Sequence, residues 1–294
     1  MRAEVKSALN KMDFTLKWKN HCLHLGLRTH IMGVLNVTPD SFSDGGAHFA
    51  AEEAIEHGLT MAQDGADIID IGGESTRPYA RKVAAEEEAR RVIPVISALF
   101  KKISIPISID TRKSSVARQA LDAGAAIIND VSALRSDPHM PRVVAEAGVP
   151  VILMHMKGRP ENMQDHPHYH DLIPEILHFL KGALDRAEAS GIRRDLTLVD
   201  PGIGFGKTFD HNLMILRELV QFQALGRPLL VGSSNKAFIG QILKKEPHER
   251  GTGSMAAAAV SAMNGAHILR VHRVKEAVET VRIVDAIKAG KVLD

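Results

Sequence analysis

Eight short apolar runs, rich in β-branched residues, recur along this chain of 294 residues, and each ends in a small polar or glycine-rich segment. Runs so short and so apolar are typical of strands buried on both faces of a parallel sheet. The segments between them are long enough for one helix each. The pattern therefore predicts an α/β fold, a closed TIM (β/α)8 barrel whose active site lies at the carboxyl ends of the strands. The runs begin at or near Val34, Asp67, Ile107, Ala126, Val151, Thr197, Leu229 and His267.

The returns from helix to strand share a glycine, at Gly65, Gly124, Gly148 and Gly265. A glycine just past a helical segment closes the helix in the left-handed conformation, and a short loop then leads into the next strand. An open doubly wound sheet is the competing fold. Eight successive units with similar turns favour the closed barrel.

The segment Phe14–Leu27 partly alternates between apolar and polar residues before the first barrel strand. We interpret it as an N-terminal β-hairpin that turns at Asn20-His21 and covers the bottom of the barrel. No Ser/Gly/Pro-rich linker divides the remaining chain, whose length suits one barrel. The sequence thus predicts an N-terminal extension and hairpin over residues 1–30 and a single barrel over 31–294.

Composition excludes several classes of partner. The formal net charge is +2 with both signs interspersed, which gives no basis for a nucleic-acid partner or an acidic membrane surface. Cys22 is the single cysteine, so no intramolecular disulfide can form. The first dozen residues lack the apolar core of a secretory signal, and no apolar run approaches the roughly 20 residues that cross a bilayer. We expect a soluble, cytoplasmic protein that acts on small molecules.

Two carboxylates and an amide follow apolar strands, at Asp110, Asn129 and Asp200. Buried polar groups are costly unless their hydrogen bonds are satisfied. Asp and Asn together offer acceptors and donors, which suits a flat, amide-rich heterocycle. The alternative is that they are polar groups of the barrel layers or loop caps. Three of them on strand ends favour a ligand.

A cationic group also terminates apolar strands, and it contains Lys236, Arg270 and His272. Residues two apart on a strand face the same side, so Arg270 and His272 form a plausible oxyanion clamp. Asn36 and Thr76-Arg77 are candidates to complete it. Solvent-facing charge is the ordinary alternative for such residues, but their place at strand ends weakens it.

Two further motifs invite interpretations that the spacing does not support. The segment GIGFGKT lacks the glycine that a nucleotide phosphate loop requires five residues before Gly206, where Pro201 stands. His166, His168 and His170 alternate in a Pro-containing segment without accompanying Cys or Glu, which favours surface histidines over a zinc site.

Taken together, these segments closely resemble the dihydropteroate synthase family. The most specific matches are IMGVLNVTPDSFSDGG and DIIDIGGESTRP, and INDVSA, LMHMKG and DPGIGFGKT follow in the family's order. The resemblance runs from about Ile31 to near the carboxyl end. It implies condensation of 6-hydroxymethyl-7,8-dihydropterin pyrophosphate with p-aminobenzoate to give 7,8-dihydropteroate and pyrophosphate in folate biosynthesis.

The resemblance also implies roles for individual residues. Asp110, Lys236 and Arg270 would be catalytic, and Asn36 would bind the Mg²⁺ that accompanies pyrophosphate. Homodimers are the family's expected assembly. The substrate-binding residues implied are Thr76, Arg77, Asp110, Asn129, Met154, Asp200, Phe205, Gly232, Lys236, Arg270 and His272, with Met154, Phe205 and Gly232 shaping the pterin slot.

The chain departs from the family where p-aminobenzoate is received. The family commonly has S-R-K-S after the seventh strand, and this chain has Ser234-Asn235-Lys236-Ala237, which removes a cation and a hydroxyl. Arg273 replaces the usual acid after Arg270-Val271-His272. We predict a weaker or altered arylamine site, for which Arg273 or Arg81 is a candidate replacement cation.

Two other functions remain open at this point. A non-catalytic or altered-acceptor pterin-binding protein would explain the changes at Asn235 and Ala237. A pterin-dependent methyltransferase with a corrinoid partner would use the same pocket, but it has no need of the Arg270 and His272 clamp.

Overall fold

A computed structural model describes residues 12–38, 46–75, 82–159 and 162–292. Eight parallel strands lie side by side in the order β8-β7-β6-β5-β4-β3-β10-β9, and a separate antiparallel pair precedes them. All eight predicted barrel strands are present. The pair is β1 (Phe14–Trp18) and β2 (His21–Leu25), and the barrel consists of β3 (His30–Asn36), β4 (Ile68–Gly72), β5 (Ile107–Asp110), β6 (Ile127–Asp130), β7 (Val151–Met154), β8 (Thr197–Asp200), β9 (Leu230–Val231) and β10 (Ile268–Val271).

The barrel closes between β8 and β9 through a narrow seam. Val199 and Leu229 form an isolated parallel bridge, and the Val199 amide donates to the Pro228 carbonyl over 3.0 Å. On its other side β9 pairs with β10. These contacts confirm the predicted closed barrel and exclude an open sheet.

Helices surround the strands and bury their apolar sides against them. In α2, for example, Val92, Val95, Ile96 and Leu99 are fully buried, as their helical spacing predicts. The helices are α1 (Gly46–Gln63), α2 (Ala85–Phe100), α3 (Ser114–Asp122), α4 (Met140–Ala147), α5 (Leu172–Ala189), α6 (Phe209–Arg217), α7 (Ala237–Leu243), α8 (Gly251–Met263) and α9 (Val274–Ala289), with 3-10 turns at Arg194–Leu196, Leu219–Leu225 and Pro247–Glu249.

The glycines of the helix-to-strand returns have positive φ angles. The values are 96° at Gly65, 117° at Gly124, 60° at Gly148 and 104° at Gly265. Residues with a Cβ rarely adopt these angles, so glycine is the natural residue at each return. The predicted helix ends are confirmed.

The N-terminal hairpin turns at Lys19-Asn20, so the predicted turn at Asn20-His21 was wrong by one residue. Lys19 takes the left-handed conformation, with φ of 44°, and lets Trp18 pair with His21. Trp18 is buried in the core cluster. Phe14 packs edge-on against His267, which immediately precedes β10, so the hairpin lies at the amino ends of the strands.

None of the helices in the described ranges is both long and apolar enough to cross a membrane.

Candidate active site

Strand register places three polar residues and one glycine in one row at the carboxyl end of the barrel. Asn36 of β3 pairs with Gly72 of β4, Gly72 with Asp110 of β5, and Asp110 with Asn129 of β6. Gly72 keeps the row open, because a Cβ there would lie 3.5 Å from Asp110 Cβ and 3.9 Å from Asn36 Oδ1. The sheet therefore delivers an amide, a carboxylate and a second amide to adjacent positions.

Arg270 joins this row from β10. Its Nε donates to Asp70 Oδ2 over 2.6 Å, and its Nη2 donates to Asp110 Oδ2 over 2.8 Å. Asn129 Nδ2 donates to the same Asp70 oxygen over 3.1 Å. The predicted convergence of Asp110, Asn129 and Arg270 is thus present as one hydrogen-bonded cluster, with Asp70 at its centre.

Sequence reasoning missed Asp70. It lies inside β4, flanked by Ile69 and Ile71, and is fully buried. An acidic residue within an apolar strand was the available signal, because a buried carboxylate requires a partner. Its partners come from β6 and β10, which the sequence alone does not place beside it.

Burial raises the pKa of Asp110 to about 7, the charge of Arg270 opposes this rise, and the Asp70 carboxylate adds to it. Burial acts to lower the pKa of Arg270, but the charges of Asp70 and Asp110 outweigh it and the pKa is raised. The cluster therefore contains a permanently cationic guanidinium beside a carboxyl that changes protonation near neutrality.

A second part of the site surrounds Asp200 at the end of β8. Asp200 Oδ1 accepts a hydrogen bond from the Gly202 amide over 2.7 Å. Burial raises the pKa of Asp200 to about 6 against the opposing effects of that bond and of nearby Lys236, and burial lowers the pKa of Lys236 to about 8. Lys236 Nζ lies 4.3 Å from the centroid of the Phe205 ring, within cation–π range.

A small apolar cluster adjoins these polar groups. It is separate from the main core and offers an apolar surface beside them, the kind of surface that lines small-molecule pockets. Phe205 packs against it while remaining partly exposed. The buried members are Val131, Met154, Met156 and Met163.

Arg270 and His272, predicted to form one oxyanion clamp, have different partners. Arg270 directs two nitrogens inward to carboxylates, and His272 Nδ1 lies 3.0 Å from Ser234 Oγ in the segment after β9. Buried Asp70 and Asp110 hold the guanidinium in this structure, and a joint clamp on an anion stays a prediction. Gly232 lies behind Arg270, where a Cβ would stand 3.8 Å from Arg270 Cβ.

The predicted metal ligand Asn36 ends β3 and is partly exposed. Its side chain makes no hydrogen bond within the described ranges, and an amide oxygen is a donor that Mg²⁺ accepts. No group of three or more His, Cys, Asp or Glu side chains in those ranges is placed to hold a metal ion. One protein ligand fits Mg²⁺ that takes its other ligands from phosphate oxygens and water. Thr76 and Arg77 lie outside the described residues.

The altered segment after β9 is held by main-chain contacts. Asn235 has a φ of 57°, its amide donates to Ser254 Oγ over 3.0 Å, and its carbonyl accepts from Arg250 Nη1 over 3.1 Å. Arg273 Nη2 donates to the His248 carbonyl over 3.2 Å, and Arg81 lies outside the described residues. Arg250, which the sequence did not single out, is thus the cation seen beside position 235.

The segment GIGFGKT forms a turn that packs on its neighbour. Gly202 and Gly206 have φ angles of 72° and 62°, and a Cβ at these positions would lie 1.9 Å from the His155 carbonyl and 2.2 Å from the Lys157 carbonyl. The glycines therefore permit close approach to the segment after β7, and Thr208 caps α6. His168 and His170 stack edge-on with ring centroids 5.0 Å apart.

Comparisons with known proteins agree with this geometry. A family model described as "Pterin binding enzyme" matches residues 32–272. Dihydropteroate synthase of Escherichia coli strain K12 is 49% identical over 262 residues, covering 89% of this chain and 93% of that protein. The chain belongs to the dihydropteroate synthase family. A further dihydropteroate synthase relative, from Synechocystis, is 47% identical over 265 residues, covering 89% of this chain and 91% of that protein.

Solved structures of dihydropteroate synthases share the fold over nearly their whole length. The Yersinia pestis enzyme in a sulfonamide drug complex has a TM-score of 0.89 at 45% identity, with 95% of this chain and all of that chain covered. The Xanthomonas albilineans enzyme in complex with 7,8-dihydropteroate has a TM-score of 0.85 at 44% identity, with 94% and 99% covered. This dihydropteroate synthase family member therefore has the barrel of its relatives.

Proposed function

We propose that this chain is a dihydropteroate synthase, a transferase that condenses 6-hydroxymethyl-7,8-dihydropterin pyrophosphate with p-aminobenzoate. The products are 7,8-dihydropteroate and pyrophosphate. Family membership supports the reaction, as does the Xanthomonas albilineans relative solved with 4-aminobenzoic acid, which is 46% identical with a TM-score of 0.88 and covers 95% of this chain and 99% of that chain. The observation that carries the proposal is the cluster of Asp70, Asp110, Asn129 and Arg270 beside Asp200 and Lys236.

The polar groups suit the edge of a pterin ring. Asp110 and Asp200 each have one carboxylate oxygen engaged, to Arg270 and to the Gly202 amide, which leaves the other to accept from ring N–H or amino groups. Asn129 directs its amide nitrogen to Asp70, so its oxygen is left to accept. The small apolar cluster of Val131, Met154, Met156 and Met163 faces the flat surface of the ring together with Phe205.

The reaction requires departure of pyrophosphate from the exocyclic methylene carbon and attack on that carbon by the arylamine nitrogen. The C–O bond breaks, a C–N bond forms, and the amine loses one proton. The electron-rich dihydropterin disperses positive charge that develops at the carbon, and the carboxylates of Asp110 and Asp200 stabilise it. Lys236 supplies positive charge beside the ring, and the His272 imidazole contributes a hydrogen bond on the leaving-group side.

Mg²⁺ is proposed as the cofactor, with Asn36 as its protein ligand. When bound, the ion neutralises charge on the departing pyrophosphate. The chain's own residues fix the ring and contact the leaving group, so the ion would add to the stabilisation that the protein supplies there.

A homodimer is proposed from the exposed apolar side chains of α8 and α9, two helices that pack on each other. Val260 is 46% exposed, Ile283 64% and Ile287 63%, and water contact with such residues is unfavourable.

A cytoplasmic location is proposed from the exposed Cys22, which is free of disulfides, because reducing compartments preserve such thiols.

Steady-state formation of dihydropteroate tests the main proposal. Pterin pyrophosphate and Mg²⁺ are held at saturation while p-aminobenzoate is scanned to high concentration, and we expect saturable product formation. Omission of Mg²⁺ is the control for the cofactor. Pterin pyrophosphate binding without product would instead indicate an altered acceptor or a non-catalytic protein.

A further inference from the structure

Lys207 is the bulkiest of the fully buried side chains in the described ranges, with an exposed fraction of 2%. Its Nζ lies 2.9 Å from His155 Nδ1 and donates to the Phe205 carbonyl over 3.0 Å. A lysine at such depth loses its hydration and is retained only where other interactions offset the loss. The ammonium lies beneath the turn that carries Phe205.

His155 ties the same ammonium to the neighbouring strand. Its main-chain amide donates to the Asp200 carbonyl over 2.9 Å, and its ring packs edge-on against Phe179 at 4.7 Å between centroids. Burial, reinforced by the charge of Lys207, lowers the pKa of His155 to about 2, so the imidazole is neutral and Nδ1 accepts from the ammonium. Lys207 therefore links the segments after β7 and β8.

Charged groups from three elements surround the Asp200 carboxyl. Lys236 follows β9, Lys207 follows β8, and Arg270 lies on β10, and each favours the ionised carboxylate. Burial lowers the pKa of Lys207 to about 7 while Asp200 opposes that change and Lys236 adds to it. Arg135 and Lys157 are the further cations that act on His155.

We propose that Lys207 is a positioning residue for the pterin site. Through Phe205 and His155 it fixes the turn that supplies the wall of the slot, and from beneath it contributes positive charge that favours ionised Asp200. The inference rests on the proposed function because it assigns the slot to a pterin. Lys207 has no direct contact with substrate in this role.

Calorimetric binding of pterin pyrophosphate as a function of pH tests the proposal. Lys207→Met preserves the length of the side chain and removes the ammonium. We expect affinity to fall about ten-fold, as for one lost charge-assisted hydrogen bond, and the acid-side midpoint of binding to move upward by about one pH unit. The direction follows because loss of a nearby cation raises the pKa of a carboxylate.

Three further variants separate positioning from charge. His155→Phe keeps the aromatic packing and Lys207 but removes the acceptor, so affinity should fall while the midpoint stays in place. Lys181→Met makes the same lysine-to-methionine change on an exposed side chain of α5, away from the turn, and it should behave as wild type. In an Asp200→Asn background, Lys207→Met should no longer move the acid-side midpoint, which assigns the shift to Asp200.

The possible outcomes distinguish this inference from the proposed function. Folded Lys207→Met with wild-type affinity and midpoint would overturn it. If Lys207→Met does not fold, His155→Phe decides, and wild-type affinity there overturns the inference. Wild-type protein that binds pterin pyrophosphate but forms no dihydropteroate contradicts the proposed function and leaves the Lys207 result valid. Absence of wild-type binding overturns both.

Discussion

At the scale of single residues, Asp70 determines where Arg270 and Asn129 point. One carboxylate oxygen accepts from both side chains, at 2.6 Å and 3.1 Å. Asp70→Asn keeps the size but replaces the anion with an amide that cannot serve both donors equally well. We expect kcat/KM to fall about ten- to a hundred-fold, since hydrogen bonds to charged groups are the stronger ones. Steady-state kinetics with both substrates measures the effect.

Asp67→Asn is the matched control, because Asp67 precedes the same strand at the opposite end of the barrel. It accepts from Arg28 and from the Ile31 amide. We expect a lower melting temperature and an unchanged kcat/KM. Wild-type kcat/KM in Asp70→Asn would show that Asp70 has no part in the reaction.

Asp200 connects function to the pH dependence of stability. Its pKa is raised from 3.8 to about 6 in the folded protein, so the folded state binds a proton that the unfolded state releases. This contribution to stability is complete below about pH 4 and is lost as the pH rises through 6. Asp200→Asn removes the loss and still accepts from the Gly202 amide.

We therefore expect Asp200→Asn to be inactive yet more stable than wild type at pH 8, by up to about 3 kcal/mol, with little difference at pH 4. Denaturant unfolding at the two pH values measures this. Equal effects at pH 4 and pH 8 would contradict the raised pKa.

Position 237 is one of the two positions at which this chain differs from the family's arylamine site, and its side chain is exposed. Ala237 is the first residue of α7 and is exposed, so Ala237→Ser adds a hydroxyl without crowding. We expect the KM for p-aminobenzoate to fall a few-fold while that for pterin pyrophosphate stays constant. Gln241→Ser, exposed on the same helix, is the control. An unchanged KM for p-aminobenzoate would separate Ala237 from the arylamine site.

Asn235→Arg makes the second restoration at a strained position. Asn235 has a φ of 57°, a conformation that asparagine tolerates better than arginine. We expect the added cation to lower the KM for p-aminobenzoate further, while the melting temperature falls because of the backbone strain. Combined with Ala237→Ser, an unchanged KM would refute the predicted weak arylamine site.

At the scale of structural elements, the turn after β8 depends on space for its glycines. Gly202→Ala combines a φ of 72° with a contact of 1.9 Å to the His155 carbonyl, whereas Gly148→Ala has a φ of 60° and open space. The second change should cost about 1 kcal/mol, the ordinary strain of a left-handed residue. The first should cost several times more and weaken pterin binding, as unfolding and calorimetry would show. Similar losses in both variants would contradict the close packing.

The eight barrel strands could be predicted from the sequence because they are buried on both faces and appear as short apolar runs. Glycine at the helix ends marked the returns for an equally local reason. The hairpin turn was misplaced because Lys19, a residue with no special turn preference, adopts a positive φ angle.

Only part of the candidate site could be predicted from the sequence. Asp110 and Asp200 end their strands, Asn129 lies one residue before the end of its strand, and strand ends meet at one rim. Asp70 and Lys207 could not be predicted as site residues, because their roles depend on partners from distant segments. Asp70 pairs with Arg270, and Lys207 pairs with His155. The hydrogen-bond partners of Arg270 and His272, among them Asp70 and Ser234, likewise come from distant segments.

At the scale of the whole molecule, α8 and α9 present apolar side chains to water. The double variant Ile283→Glu, Ile287→Glu places two charges one helical turn apart on α9. If this face forms the dimer, sedimentation should show a shift from dimer to monomer with little loss of secondary structure. Lys275→Glu on the same helix is the control, and a dimer that survives the double change would exclude this face.

The seam that closes the barrel has a further consequence for how such a protein can evolve. β9 has two residues and meets β8 through one bridge, so the chain that follows it is held by Ser254 and Arg250 and not by strand pairing. That chain carries Lys236 together with the altered positions 235 and 237. Substitutions at positions 235 and 237 therefore leave the strand pairing that closes the barrel untouched, and this segment can vary while the sheet stays closed.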